Sequence, residues 1–69
     1  MLPSQRVEQD LRRRIAAGEW QPGQALPTVA ELAQHYGTSG ATISKVLKRL
    51  AADGLVTVIA SWGTFRAEE

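Results

Sequence analysis

The sequence predicts a small, mainly α domain in which three helices are followed by a short β-hairpin, and three observations predict it. Apolar residues recur at helical spacing within 7–15, 29–36 and 43–50. Hydroxyl residues precede the second and third of these stretches, and glycines follow all three. After Gly54 the pattern changes to runs rich in β-branched residues, LVTVIA and GTF.

The first helix is expected over residues 4–17, SQRVEQDLRRRIAA, where Val7, Leu11 and Ile15 lie four apart and form one apolar stripe while the arginines face outward. Gly18 stops it, because glycine accepts the left-handed conformation common at a helix C-terminus. Residues 18–27, GEWQPGQALP, combine two glycines and two prolines with apolar anchors at Trp20 and Leu26, which reads as a shaped connector. Thr28-Val-Ala-Glu31 fits a capping box and opens the second helix, with Val29, Leu32, Ala33 and Tyr36 on its apolar face. Gly37 and Thr38 turn the chain, and Ser39 caps a third helix over 40–53 whose inward set is Ile43, Val46, Leu47 and Leu50. Asp53-Gly54 ends it, and a hairpin over 55–67 follows.

The 69 residues make one domain, 1–69, with no repeats, and a chain of this size buries only about 60% of the surface its unfolded form exposes. A hydrophobic fraction of 43% with 22% charged residues is that of a folded chain rather than a disordered one. The absence of cysteine removes disulfides and thiolate metal sites and suits a cytoplasmic setting. No apolar run approaches the roughly 20 residues that span a bilayer, and MLPSQRVEQD lacks a signal-peptide core, so neither membrane insertion nor export is expected. His35 is the single histidine and lacks ligand partners, and no nucleophile–base pair or phosphate loop can be assembled. No enzyme, metal site or cofactor is therefore expected.

A net charge of +1 does not by itself indicate a polyanionic partner, so the placement of charge decides. Arg6, Arg12, Arg13 and Arg14 cluster on the first helix, and Lys45, Lys48 and Arg49 form a second cluster without nearby carboxylates in the middle of the chain. Two helices joined by a short glycine-containing turn make a helix-turn-helix, whose second helix enters the DNA major groove. Projected at 100° per residue, the third helix turns Ala41, Lys45, Lys48 and Ala52 outward with Thr42 and Ser44 on the flanks. That face, the helix N-terminus and the trailing hairpin together suit a nucleic-acid backbone and groove.

The stretch GEWQPGQALPTVAELAQHYGTSGATISKVLKRLAADGLVTVIASWGTF resembles the winged helix-turn-helix domain of the GntR family of bacterial transcription regulators. The family pattern GxxxPGxxLPSxxxLAxxxGVSxxTVxxALxxLxxxGL, with a glycine-rich wing ending in GTF, is matched at Gly18, Pro22, Gly23, Leu26, Pro27, Leu32, Ala33, Gly37, Ser39, Thr42, Leu47, Leu50, Gly54, Leu55, Gly63, Thr64 and Phe65. Arginines common in the family are replaced here by Ala30, Gly40 and Ser44, and the wing carries Ser61 for a usual glycine and Trp62 for a small or basic residue. Family members also continue into an effector-binding, dimerising domain, so the resemblance implies either the DNA-binding portion of a longer regulator or a short regulator that senses nothing itself.

The resemblance implies a DNA-binding regulator, most simply a repressor, with the helix of residues 40–53 in the major groove of double-stranded DNA and the hairpin of residues 55–67 as wing. The residues expected at DNA are Thr28, Ser39, Gly40, Ala41, Thr42, Ser44, Lys45, Lys48, Arg49, Trp62, Gly63 and Thr64. Ser39, Thr42, Gly63 and Thr64 are expected at phosphates, Lys45 at a base edge or phosphate, Lys48 and Arg49 at the backbone, and Ala41 near a thymine methyl or as a plain helix former. Trp62 either packs back on the domain or stays exposed for DNA or a protein partner, whereas Trp20 belongs to the core. A homodimer would read both halves of a palindrome, and since no dimer seam is visible its pairing is expected to rest on the DNA, on the first helix or on residues outside this sequence. The competing reading is a protein-interaction or architectural module of weak sequence preference, motivated by the missing arginines and by Trp62.

Overall fold

The computed structural model describes residues 3–59 and 62–68. Helix α1 spans Ser4–Ala16, α2 Val29–Tyr36 and α3 Gly40–Ala52, followed by β1 Val56–Ile59 and β2 Gly63–Arg66. This is a winged helix-turn-helix, in the predicted order. α1 and α3 each end one residue before the expected limit, and the paired strands fall inside the expected 55–67. The hairpin ladder nonetheless extends one step outward, since Ala67 N–H donates to the Leu55 carbonyl at 3.1 Å.

Each helix buries the stripe its spacing prescribes: Val7, Leu11 and Ile15 from α1, Leu32 and Tyr36 from α2, and Ile43, Val46, Leu47 and Leu50 from α3. With Trp20, Leu26 and Val56 they form one core, to which Val29, Ala33, Ala51 and Leu55 add half-buried cover. Fully burying a side chain such as Leu50 contributes about 1.5–3 kcal/mol. A core this small therefore depends on every member.

The capping box of α2 is complete: Glu31 N–H donates to Thr28 Oγ1 at 3.1 Å, and Thr28 N–H donates to Glu31 Oε1 at 2.9 Å. Gly37 then adopts a left-handed conformation, φ +65°, that allows the chain to leave α2 and enter α3 within three residues. Ser39 caps α3 by accepting from Thr42 N–H at 3.1 Å.

β1 and β2 pair antiparallel in the register Val56↔Arg66, Thr57↔Phe65, Val58↔Thr64 and Ile59↔Gly63. The connector does more than its composition announces. Gly23 N–H donates to the Arg66 carbonyl, Arg66 N–H to the Gln24 carbonyl and Leu26 N–H to the Thr64 carbonyl, each at 2.8 Å. A one-residue bridge between Ala25 and Phe65 thus fastens the connector to the free edge of β2. Prolines and glycines hid this pairing in the sequence, because it is set by the edge offered and not by local propensity. The Arg66 guanidinium adds a bond to the Trp20 carbonyl at 2.6 Å, so the root of the wing is held to the connector by a side chain as well as by backbone.

Candidate nucleic-acid interface

The outward face of α3 is built as its periodicity predicts. Ala41, Ser44, Lys45, Lys48 and Ala52 are exposed, and Gly40 and Thr42 are half-buried at its front. Among the described residues neither Lys45 nor Lys48 takes part in an ion pair. Both ammonium groups are therefore open to an external anion.

The front of α3 has a defined hydroxyl arrangement. Ser39 Oγ already accepts from Thr42 N–H and lies 3.0 Å from Thr42 Oγ1, so one of the two hydroxyls donates to the other. The second hydroxyl keeps its proton, which leaves the pair one donor for a phosphate oxygen. No acidic residue occupies the first turn of α3, so the partial positive charge of its N-terminus is not neutralised locally. At Gly40 an added Cβ would meet only Val29 Cγ1, at 3.5 Å, so the missing side chain is not forced by crowding. Thr28 is exposed at the start of α2, where its oxygen accepts the Glu31 bond and its proton has no acceptor among the described residues.

Two expected contact residues are placed differently. Thr64 is 6% exposed, because its pairing with Val58 turns it to the same face as buried Val56, toward the helices. Its hydroxyl is thus not presented at the wing surface. Arg49 does not stand free: its Nη1 donates to Glu8 Oε1 of α1 at 3.2 Å. The basic cluster of α3, expected to lack nearby carboxylates, has one supplied across the fold by α1.

Glu8 is the centre of a chain of ion pairs. Its Oε2 accepts from Arg12 Nε at 3.0 Å and Nη2 at 2.8 Å, and Arg12 also bonds Asp53 just past α3. These bonds, Arg12 first and Arg49 second, hold the Glu8 carboxyl below its ordinary range. Two further α1 arginines are engaged too, while Arg6 takes part in no ion pair among the described residues. Arg13 pairs with Asp10, and Arg14 pairs with Glu19 and lies over the Trp20 ring, 4.8 Å from its centroid. Arg14 Nη1 further donates to Tyr36 Oη at 2.8 Å, and that hydroxyl donates to Asp10 Oδ2 at 2.6 Å. Burial, helped by Asp10, pushes the Tyr36 phenol up, while the Tyr36 and Arg13 bonds hold Asp10 below the usual carboxylate range.

At the wing, Trp62 is 78% exposed, which decides between its two sequence readings in favour of the open one. Val58 and Ile59 are also exposed, and residues 55–65 contain no charged side chain. Gly63 is exposed beside Trp62, whereas the expectation for Ser61 lies outside the described residues. His35 packs edge-on against Tyr36, with ring centroids 4.7 Å apart. Among the described residues no cluster of three or more His, Asp or Glu side chains could hold a metal, and no helix is long and apolar enough to cross a membrane.

Sequence reasoning missed Glu8, Asp10 and Tyr36 as network members, since each acts on partners 26 or 41 residues away. It also missed Thr38 in the turn between α2 and α3, whose Oγ1 is buried with no hydrogen-bond partner among the described residues.

Comparison with known proteins places this geometry. Residues 3–65 match the model of bacterial regulatory proteins, gntR family. The chain is 36% identical over 64 residues to the histidine utilization repressor of Klebsiella aerogenes, covering 93% of this chain and 27% of that one. It is 40% identical over 63 residues to the histidine utilization repressor of Pseudomonas putida, covering 91% and 25%. The chain thus spans about a quarter of the length of these curated relatives. A solved structure of the AraR DNA-binding domain in complex with operator ORE1 superposes with a TM-score of 0.90 at 37% identity, covering 97% of this chain and 83% of that one. A GntR family transcriptional regulator from Listeria monocytogenes, at 20% identity and a TM-score of 0.90, shares the fold. With a family match over nearly its whole length and the helices, turn and wing that match requires, the chain belongs to the gntR family of bacterial regulatory proteins.

Proposed function

We propose that this domain binds double-stranded DNA as a transcription repressor, acting in the bacterial cytoplasm by occupancy of its site and not by catalysis. The observation that carries this is the outward face of α3, where Lys45 and Lys48 are unpaired among the described residues and follow a helix start free of acidic residues. The repressor relatives and the operator-bound AraR domain support the same reading.

In this reading α3 enters the major groove, Lys45 reaches a base edge or phosphate, and Lys48 reaches the backbone. The spare hydroxyl of the Ser39–Thr42 pair and the Thr28 hydroxyl donate to phosphates, and Gly40, Ala41 and Ser44 let the helix approach closely. Trp62 and the Gly63 backbone meet the DNA at the wing, where an apolar tip suits sugars and base edges of the minor groove better than phosphates. The repressor works as a two-fold pair on a palindrome, since one module reads few base pairs.

Only a small electrostatic footprint is available, so binding should weaken with salt with a slope of about −2 per module in log–log form. Titration of random duplex pools by fluorescence anisotropy at two salt concentrations tests this. Enrichment of particular sequences with that slope is expected, and no binding even at low salt contradicts the proposal. The small front end of α3 and the exposed Trp62 favour a second reading, an architectural DNA protein, for which every sequence would bind alike.

A further inference from the structure

Neither charge count nor motif reveals the ion-pair chain that joins α1 to α3. Asp53, Arg12, Glu8 and Arg49 follow one another in space, two carboxylates alternating with two guanidinium groups, so the group has no net charge. Glu8 is its only member bonded to both arginines, one from each oxygen. Its side chain is 17% exposed, so it is held in the seam and not free to swing away, while Arg49 keeps 49% of its side-chain surface open. Arg49 lies one helical turn after Lys45, on the flank of the face assigned above to DNA. Any carboxylate bonded there stands well within the roughly 10 Å over which charges act at ordinary salt.

We propose that Glu8 is a built-in attenuator of DNA affinity, a residue of α1 that occupies Arg49 of α3 and so withholds one positive charge from the phosphate backbone. The domain then binds DNA with two lysines where its sequence offers three cations on α3. The consequence is weaker non-specific binding, which leaves base and shape contacts a larger share of the total. A positioning role would work in the opposite direction: if Glu8 aimed Arg49 at a phosphate, removing its charge would weaken binding. The sign of the effect therefore separates the two.

The inference rests on the DNA-binding reading, and its test is arranged so that the two fail separately. The full chain and its Glu8→Gln variant are titrated with a random-sequence duplex at 50 and 200 mM salt, with thermal melting of each protein measured alongside. Glu68→Gln removes one negative charge from an exposed residue with no ion pair among the described residues and serves as the charge control. Glu8→Gln is expected to bind more tightly than wild type and to steepen the salt slope by about one unit, so its advantage shrinks about 3.5-fold between the two salts. Glu68→Gln should give a smaller gain, and Glu8→Gln/Arg49→Ala should lose the gain altogether. Should Glu8→Gln melt below the assay temperature, Arg49→Ala alone decides, since a silenced arginine costs less affinity than Lys45→Ala. Equal or weaker binding by folded Glu8→Gln, a gain matched by Glu68→Gln, or an Arg49→Ala loss as large as that of Lys45→Ala would overturn the attenuator. A wild-type chain that binds no duplex would overturn the repressor reading itself.

Discussion

Helices α2 and α3 both start from a hydroxyl cap, Thr28 in one and Ser39 in the other, but the third residue on is Glu31 in α2 and Thr42 in α3. In α2 the carboxylate returns to the cap N–H and neutralises the positive end of the helix. In α3 the cap is uncharged, and the positive end stays available next to Lys45. Two helices of one motif thus share a capping geometry and differ in what they offer an anion. The difference teaches that capping and phosphate binding use the same N–H groups, and that the identity of one residue decides whether the protein or a ligand answers the helix charge.

The strongest way to break this contrast is to give α3 the chemistry of α2. Thr42→Glu completes a Ser39-based capping box and sets a carboxylate where a phosphate is proposed, so duplex affinity at low salt should fall by about tenfold or more. The melting temperature should hold or rise slightly, and a fall in both would mean that Thr42 is needed for folding instead. The converse change acts mainly on stability. Thr28→Ala removes the cap of α2 at a cost of about 1 kcal/mol in denaturant unfolding, and deleting its proposed phosphate donor lowers affinity less than Thr42→Glu does, because Glu31 already neutralises that end.

Between the two helices, Thr38→Val keeps the shape of the turn residue and removes a buried hydroxyl that has no partner among the described residues. A gain of about 1 kcal/mol is expected, and a loss would reveal a partner for that oxygen. The smallest effect at neutral pH is that of the α1 network. Glu8, Asp10 and Glu19 have folded-state values below their ordinary ones, so the unfolded chain binds protons first as pH falls. Their stabilisation is complete above the ordinary carboxylate values, about 4, and is lost as pH drops through the lowered ones. Tyr36 is shifted upward, so its contribution is present below about 10 and lost as pH rises past its folded value. Melting curves across acid and alkaline pH check both signs, and Tyr36→Phe should remove the alkaline limb.

How much of this could be read in advance follows the range of each interaction. The three helical stripes, the Thr28–Glu31 box, the Ser39 cap and the exposed Lys45 and Lys48 are legible because each is set by residues within a few positions of one another. The Ala25–Phe65 bridge and the hold of Glu8 on Arg49 are not, because neither partner has a local signal and the fold alone brings them together. Thr64 sits between these cases. Its strand was legible, but its burial depends on the register that sets it opposite Val58, and a shift of one residue would have turned it outward. The openness of Trp62 was likewise undecidable from the sequence, since a bulky aromatic near a hairpin turn can pack or project with equal local cost.

In the proposed reading Lys45 and Lys48 of α3, unpaired among the described residues, form the DNA-reading surface, and the more numerous arginines of α1 do not. Anisotropy titration of the duplex selected from the random pool, with Lys45→Ala and Arg13→Ala measured side by side, tests it most directly. Each variant removes one positive charge, but Lys45 has no ion pair among the described residues and Arg13 is bonded to Asp10. Lys45→Ala is predicted to weaken binding clearly more than Arg13→Ala and to flatten the salt slope by about one unit. Equal losses, or the larger loss from Arg13→Ala, would contradict the account.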